Sequence, residues 1–288
     1  MGIMGTAMSD AEVPACRNVC FRGLHEMIFR VLTIFPELFD AFWENSIIKR
    51  AIEGHHISAA AVDIRRYTSD KHRTTDDRPY GGGPGMVMKP EPLAKAIQAA
   101  KKITPFSRTV LMTPQGRRFN QSLAHELARE EGVIFVCGRY EGVDERIFNQ
   151  YIDDEISIGD YVLTGGELPV MIIIDAVTRL LPGVLGGADS AEKDSFSEGL
   201  LEHAHYTRPR DFEGDRVPDV LLSGNHQAIE QWRTETALIR TFLKRPDLME
   251  DRAFTAREIN ILRKWSTEIE RIVETQNLSR ADSLPGRE

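Results

Sequence analysis

Short apolar segments alternate with amphipathic segments over most of the chain up to Gly183. Runs rich in β-branched residues predict strands at 28–34, 57–64, 109–112, 133–137 and 155–158. Helical patterns lie between and after these runs, at 36–54, 90–102, 121–131 and 168–181. Strands that alternate with helices usually pair in parallel, because each helix carries the chain back to the start of the next strand. The sequence therefore predicts an α/β domain with a largely parallel sheet.

Composition narrows the classes of protein to which this chain can belong. Its 288 residues carry a net charge of −8, so a nucleic-acid partner would need a local basic patch. The three cysteines, Cys16, Cys20 and Cys137, are too few for a disulfide framework and favour a reducing, cytoplasmic location. No apolar run reaches membrane-spanning length, and the N-terminus lacks a signal-peptide pattern. We expect a cytoplasmic protein with no membrane association.

The segment from Ser157 to Gly183 reads SIGDYVLTGGELPVMIIIDAVTRLLPG and concentrates several unusual features. A strand ends here, and glycine breaks at Gly159 and at 165–166 enclose the apolar run Tyr161-Val162-Leu163. Glycine lets the backbone approach a ligand where a side chain would collide. The apolar helix that follows is predicted to be buried, and it ends near Arg179, where a cation suits the helix dipole. Taken singly, each piece is also typical of an ordinary turn or core helix.

Three breaks follow predicted strands, at 113–116, 138–142 and 159–166. In parallel sheets, ligands bind beyond the carboxyl ends of the strands. We therefore expect one ligand crevice among these breaks, although three separate turns remain the simpler alternative.

A long segment from Arg65 to Val87 reads RRYTSDKHRTTDDRPYGGGPGMV and is predicted to be a loop. It matches neither the P-loop nor the GxGxxG pattern of dinucleotide-binding sites. Its cations and its aromatic residues Tyr67 and Tyr80 would suit the backbone and bases of RNA. A flexible, solvated loop without a ligand is the alternative interpretation.

Residues 183–197 are small and charged, which is typical of a linker. A small helical domain is predicted after it, with a capping box at Thr255 to Glu258. His203 and His205 have the spacing of metal ligands on one strand face, but ordinary surface histidines are the favoured interpretation. We predict no dedicated metal site.

Long strings spread along the chain resemble the bacterial tRNA (guanine-N1)-methyltransferases of the TrmD type, in the SPOUT class. The strings are IFPELFDAF, DDRPYGGGPGM, GRYEGVDER, SIGDYVLTGGELP, DAVTRLLPGVLG, DSFSEGLLEHAHYTRP and VPDVLLSG. The resemblance covers residues 27 to about 276. The sequence departs from the family pattern at HAHY, where many members have a proline before the second histidine. Residues 1–26 lie outside the family pattern.

The resemblance implies a parallel sheet with a C-terminal trefoil knot, and a small helical C-terminal domain that binds tRNA. The implied organisation is a disordered extension 1–26, a SPOUT domain 27–184, a flexible linker 185–197 and the helical domain 198–288. The implied reaction transfers a methyl group from S-adenosylmethionine to N1 of the guanosine immediately 3′ of the tRNA anticodon. The family also implies a homodimer with composite active sites and a possible need for magnesium.

Site residues carry over at the positions that match the family motifs. Arg179 and Asp194 correspond to the catalytic pair, and Gly85 and Arg208 to residues that contact tRNA. Glu141 would contact the cofactor or order a loop, and the two roles are equally open. The implied cofactor-binding residues are Leu111, Met112, Pro114, Gly116, Gly138, Tyr140, Glu141, Ser157, Ile158, Gly159, Asp160, Tyr161, Val162, Leu163, Gly165 and Gly166.

Two other functions remain open from the residues alone. A nucleotide-dependent transferase would use the same crevice, and it would bind ATP or NAD rather than S-adenosylmethionine. A non-catalytic RNA-binding module would rely on the basic loop, and it would bind tRNA without transferring a methyl group.

Overall fold

The computed structural model describes residues 26–186, 194–197, 199–250 and 252–275, with side chains described up to 272. The predicted extension 1–26, apart from Glu26, and residues 187–193 of the predicted linker lie outside these ranges. Among the described helices, none is long and apolar enough to cross a membrane.

Strands and helices alternate through the first part of the chain, and helices dominate the last part. The strands are β1 Met27–Thr33, β2 Ile57–Asp63, β3 Asp76–Asp77, β4 Val87–Met88, β5 Arg108–Arg118, β6 Gly132–Cys137, β7 Asp154–Ser157, β8 Asp211–Phe212 and β9 Asp215–Arg216. The α-helices are α1 Asp40–Trp43, α2 Ser46–Glu53, α3 Pro90–Ile103, α4 Gln121–Leu127, α5 Glu145–Tyr151, α6 Glu167–Thr178, α7 Asp219–Leu222, α8 His226–Lys244, α9 Asp247–Glu250 and α10 Ala256–Thr275. Short 3-10 helices occupy Pro36–Phe39 and Ile64–Tyr67.

These elements form two compact units. The first unit contains the described residues up to Leu111 together with Glu130–Asp154. The second contains Met112–Arg129 and the described residues from Glu155 onwards, so β5 passes from one unit into the other. The domain boundaries derived from the family resemblance remain a prediction.

The main sheet has five strands in the order β2-β1-β6-β5-β7. β1 pairs in parallel with both β2 and β6, and Phe29 stands in register with Ala59 on one side and Val133 on the other. Every residue of β6 is buried, and the rings of Phe29 and Phe135 stack with centroids 6.2 Å apart. Strands buried on both faces read as continuous apolar runs. The prediction of an α/β fold with a largely parallel sheet is confirmed.

The predicted helix from Pro36 to Gly54 is wrong as a single element, because the chain breaks between α1 and α2. Asn45 adopts an extended conformation and donates its side-chain amide to the carbonyl of Ala41. Ser46 then has a positive φ of 54°. Asparagine side chains compete in this way for backbone groups and so interrupt helices.

The predicted turn at 113–116 is also wrong, because β5 continues through Thr113-Pro114-Gln115-Gly116 to Arg118. Proline can stand in a strand at a position where its missing N–H is not needed. At Gly116 a Cβ atom would lie 2.4 Å from the carbonyl carbon of Glu155 and from the nitrogen of Ile156. The glycine therefore marks a close approach of two strands rather than the end of one.

Two other predicted elements need smaller corrections. α4 ends at Leu127, four residues before the predicted end at Glu131. The long segment from Arg65 to Val87 is not wholly a loop, because it starts in a 3-10 helix and its β3 pairs antiparallel with β4.

Helix α6 is buried on one face only. Val170, Ile173, Ile174 and Val177 are buried, whereas Leu168 and Ile172 are exposed. The helix ends at Thr178, and Arg179 caps it by donating its backbone N–H to the carbonyl of Asp175 at 3.2 Å. The predicted position of the helix, ending near Arg179, is confirmed. The prediction that the helix is buried is wrong for the face that carries Leu168 and Ile172.

The predicted capping box opens α10. The backbone N–H of Thr255 donates to Glu258 Oε2 at 2.7 Å, and the N–H of Glu258 donates back to Thr255 Oγ1 at 3.3 Å. Burial of the Glu258 carboxylate acts to raise its pKa, but hydrogen bonds from Arg252 and Thr255 outweigh burial and lower it. The ionised carboxylate thus stabilises the start of the helix.

Candidate active site

The loop after β7 is fixed by hydrogen bonds to a buried serine. Ser157 Oγ accepts a hydrogen bond from the backbone N–H of Gly159 at 3.2 Å, and Gly159 has a positive φ of 147°. The ring of Tyr161 folds back over this turn, so that a Cβ atom on Gly159 would lie 2.7 Å from ring carbon Cε1. The phenol hydroxyl donates to the carbonyl of Ile158 at 3.4 Å. Backbone and aromatic ring therefore lie close together at a position where glycine is required.

The same loop exposes an unusual amount of apolar surface. Val162 is 88% exposed, and Tyr161 and Leu163 are also exposed. Asp160 points to solvent, with its carboxylate 4.0 Å from Arg118. The loop then enters α6 through Gly166, whose carbonyl accepts the N–H of Val170 at 3.0 Å. Exposed apolar residues grouped in one loop are typical of a ligand-binding surface.

The two predicted catalytic side chains are in contact. Arg179 Nη2 donates to Asp194 Oδ2 at 2.7 Å, although the residues are 15 positions apart in the sequence. Both side chains are partly exposed, so a substrate can reach them. Asp194 also begins a short turn, because its backbone carbonyl accepts the N–H of Ser197 at 3.2 Å. A carboxylate held beside a guanidinium can accept a proton while the cation stabilises developing negative charge nearby.

In the first unit, the segment after β6 packs against the glycine-rich segment before β4. The N–H of Glu141 donates to the carbonyl of Met86 at 3.0 Å. A Cβ atom on Gly85 would lie 2.2 Å from Glu141 Oε1, so the carboxylate lies directly against that glycine. This contact favours the interpretation in which Glu141 orders a loop.

Tyr140 has the positive φ of 60° that few residues with a side chain adopt. Burial raises the pKa of its phenol, and the negative charge of Asp76 and a hydrogen bond to that carboxylate raise it further. Backbone strain of this kind persists where the surrounding structure holds the residue in place, and it is frequent at functional sites. Asp76 is therefore a further candidate residue, which the sequence interpretation missed.

The segment between Arg65 and Val87 also carries the local basic surface that an acidic protein would need to bind RNA. Four of its cations are exposed and have no carboxylate partner among the described residues: Arg66, Lys71, Arg73 and Arg78. Tyr80 follows them with a fully exposed side chain. Unpaired cations beside an exposed aromatic ring suit single-stranded RNA.

Comparison with known proteins is consistent with this geometry. The family described as tRNA (Guanine-1)-methyltransferase TrmD matches residues 27–251. The chain belongs to this family. It is 53% identical over 258 residues to a tRNA (guanine-N(1)-)-methyltransferase of Desulfatibacillum aliphaticivorans, a match that covers 90% of this chain and 98% of the relative. Relatives with the same name from Listeria monocytogenes and Bacillus cereus are 53% and 54% identical, over 82% and 84% of this chain and 97% and 98% of their own.

The remaining residues implied by the TrmD resemblance differ in their surroundings. Leu111 and Met112 are buried in β5, so their side chains belong to the core. Pro114 is exposed, Gly138 follows β6, and Gly165 precedes the start of α6. Arg208 is exposed in the second unit and has no carboxylate partner among the described residues. Within the described ranges, no group of three or more His, Cys, Asp or Glu side chains is placed to hold a metal ion.

Substitution of Gly85 tests the contact with Glu141. Gly85→Ala is expected to lower tRNA methylation at least about tenfold, because the new methyl group must displace the carboxylate and shift the loop. Gly82→Ala is the matched control, since Gly82 has a similar positive φ but no neighbour within 4 Å of a Cβ atom. Equal kcat/KM values for the two variants would show that the contact with Glu141 has no functional role.

Proposed function

We propose that this protein transfers a methyl group from S-adenosylmethionine to N1 of the guanosine immediately 3′ of the tRNA anticodon, position 37. Membership of the TrmD family supports the reaction type and the tRNA substrate. The observation that carries the mechanism is the contact of Arg179 with Asp194 beside the C-terminal end of α6.

The residues around Gly159 fit an adenosyl group. Gly159 is buried under the ring of Tyr161. Beside this turn, Tyr161, Val162 and Leu163 provide exposed apolar surface that an aromatic base would cover. Backbone N–H and C=O groups of the loop can read the edge of the base, as is usual where a ligand approaches glycine closely. We propose that Ile158 to Leu163, with Gly165 and Gly166, hold the cofactor, which supplies an electrophilic methyl group on a sulfonium.

Guanine N1 carries a proton and is a poor nucleophile until that proton is removed. Asp194 uses Oδ2 for its contact with Arg179, and among the described residues its Oδ1 has no hydrogen-bond partner. We propose that Oδ1 accepts the N1 proton as the methyl group is transferred. Negative charge then grows on guanine O6, and the guanidinium of Arg179 would stabilise it there.

Two regions are proposed to bind the tRNA. The unpaired cations between Arg65 and Val87 would contact phosphates, and Gly85 would let the backbone approach the nucleotide. Arg208, exposed in the second unit, would contact the same substrate. Magnesium is proposed to act with the substrate, because the described residues contain no dedicated protein site for it.

A homodimer with composite active sites and a C-terminal trefoil knot are proposed from the family pattern. The exposed apolar residues Leu168 and Ile172 lie one turn apart on α6, and a second copy would cover them. Light scattering should therefore give the mass of a dimer. Arg179 contacts Asp194 within one chain here, whereas a composite site would take the two residues from different chains. A mixture of Arg179→Ala and Asp194→Ala subunits should recover one working site only in the composite arrangement. Failure to recover activity in proven mixed dimers would mean that the pair acts within one chain.

The direct test of the reaction uses labelled S-adenosylmethionine and unmodified tRNA. Transfer of label to the RNA, with N1-methylguanosine as the product nucleoside, is the expected result. Binding of tRNA with no transfer would favour a non-catalytic RNA-binding module.

A further inference from the structure

The proposed general base lies at the start of a compact turn in the second unit. This turn consists of the described residues of 194–202 and is called the anchored turn below. The backbone N–H of Phe196 donates to the carbonyl of Leu200 at 2.8 Å. Next to this contact, Ser195 Oγ accepts the backbone N–H of Glu202 at 3.0 Å. These hydrogen bonds join the two ends of the turn, so a shift of its last residues also moves the residues beside the base.

The backbone of the anchored turn adopts two unusual conformations. Phe196 has a positive φ of 74°, which few residues with a side chain adopt, and its ring centroid lies 5.8 Å from the guanidinium carbon of Arg245. Gly199 has a φ of 75°, and a Cβ atom there would lie 3.3 Å from Arg252 Cδ. Such conformations persist where surrounding contacts hold them in place. The shape of the turn therefore depends on its contacts with the helical part of this unit.

Thr241 of α8 fixes the anchored turn to that helix. Its hydroxyl accepts the backbone N–H of Leu201 at 2.9 Å and donates to the carbonyl of Ala237 at 2.8 Å. A hydroxyl has one proton to donate and lone pairs that accept, so Thr241 can make both bonds at once. Thr241 is fully buried. Because the site is closed to solvent, water cannot easily replace the hydroxyl as the partner of Leu201.

The contact with Leu201 goes beyond what a threonine in a helix usually makes. The hydroxyls of Thr234, Thr236 and Thr267 donate to carbonyls of their own helices, which is a common way to satisfy a helical threonine. Thr241 makes this bond as well, and in addition accepts an N–H from a residue 40 positions earlier. Valine would fill nearly the same volume without accepting that N–H. Packing of α8 alone therefore does not explain the hydroxyl.

We propose that Thr241 is a positioning residue for the methyl transfer, acting through the anchored turn on Asp194. The hydroxyl of Thr241 holds Leu201, and the hydrogen bonds across the turn pass that constraint to the residues next to Asp194. Asp194 must keep Oδ2 on Arg179 while Oδ1 faces guanine N1, and a small displacement of a reacting group lowers the rate greatly. The proposal rests on the proposed function, because it takes Asp194 as the base.

Replacement of the hydroxyl tests this role in the full chain. Thr241→Val is expected to lower the single-turnover rate of methyl transfer at least about tenfold, with the affinities for S-adenosylmethionine and tRNA nearly unchanged. Thr241→Ser keeps the hydroxyl and should restore most of the rate. Thr236→Val is the matched control in the same helix and should transfer methyl groups at the wild-type rate, because the Thr236 hydroxyl donates to the carbonyls of Trp232 and Arg233.

A double-mutant cycle with Asp194→Asn separates positioning of the base from a general structural role. If Thr241 acts through Asp194, adding Thr241→Val to Asp194→Asn should cause no further loss of rate. Equal factors of loss in the wild-type and Asp194→Asn backgrounds would assign Thr241 to the structure alone and overturn the proposal.

Ser195→Ala provides a second variant that leaves the buried hydroxyl of α8 in place. It removes the acceptor for the N–H of Glu202 and should lower the rate with substrate affinities unchanged. A wild-type rate in Thr241→Val, or in Ser195→Ala where Thr241→Val does not fold, would overturn the positioning proposal and leave the proposed function standing. A wild-type protein that binds tRNA and S-adenosylmethionine but transfers no methyl group would instead contradict the proposed function.

Discussion

Asp194→Asn is expected to slow single-turnover methyl transfer by roughly 10²–10⁴, the usual contribution of a general base. The amide keeps the shape of the side chain and can still accept a hydrogen bond from Arg179, but it cannot take the proton from guanine N1. Affinity for S-adenosylmethionine should stay near the wild-type value, because the proposed cofactor loop does not include this residue. Rapid-quench measurement of a single turnover, with enzyme in excess over tRNA, separates the chemical step from product release.

Arg179→Lys completes this test. An ammonium group keeps the positive charge but lacks the planar fork that can contact a carboxylate and guanine O6 together. We expect a large loss of rate with little change in cofactor affinity. If Asp194→Asn transferred methyl groups within a few-fold of the wild-type rate, the base would lie elsewhere and the proposed mechanism would be wrong.

Gly116→Val is expected to destabilise the second unit strongly. A Cβ atom at this position would lie 2.4 Å from backbone atoms of Glu155 and Ile156, and the backbone of a paired strand cannot move aside as a side chain can. Forcing extra atoms into packed structure typically costs about 1–3 kcal/mol, and more where the backbone must shift. Thermal unfolding followed by circular dichroism measures the loss as a lower midpoint.

Gly186→Val is the matched control for this substitution. Gly186 has an ordinary φ, and a Cβ atom there would meet nothing within 4 Å. Its unfolding midpoint should equal that of the wild type. A Gly116→Val protein with an unchanged midpoint would show that β5 and β7 do not approach as closely as described. If such a protein lost only its affinity for S-adenosylmethionine, Gly116 would act on the cofactor and not on strand packing.

The alternation of apolar runs and helical patterns was sufficient to predict the sheet. Strands such as β6 are buried on both faces, so their apolar runs are continuous and their limits are visible in the sequence. The places where a strand or helix breaks were harder to predict. Thr113-Pro114-Gln115-Gly116 has the composition of a turn, yet tertiary pairing keeps it in β5. Asn45 breaks a helical pattern through a hydrogen bond that composition does not reveal.

Residues of the candidate site could be predicted only where they stand in a motif of the family. Asp194 is one acid among several in a small, polar segment, and its contact with Arg179 spans 15 positions, so local pattern could not have selected it. The family resemblance did. Asp76 stands in the string DDRPYGGGPGM and was nevertheless overlooked, because its contact with Tyr140 depends on a turn with positive φ some 60 residues later. Helix α5 was also missed, since seven residues give too little periodicity to detect.

Transfer of a methyl group to one guanosine of tRNA is tested most directly with two matched transcripts. One carries guanosine immediately 3′ of the anticodon, and the other carries adenosine there and is otherwise identical. Incubated with labelled S-adenosylmethionine, the first should gain one methyl group per tRNA, recovered as N1-methylguanosine, and the second should gain none. Equal labelling of the two transcripts, or no labelling of either by a protein that binds both, would contradict the proposed function.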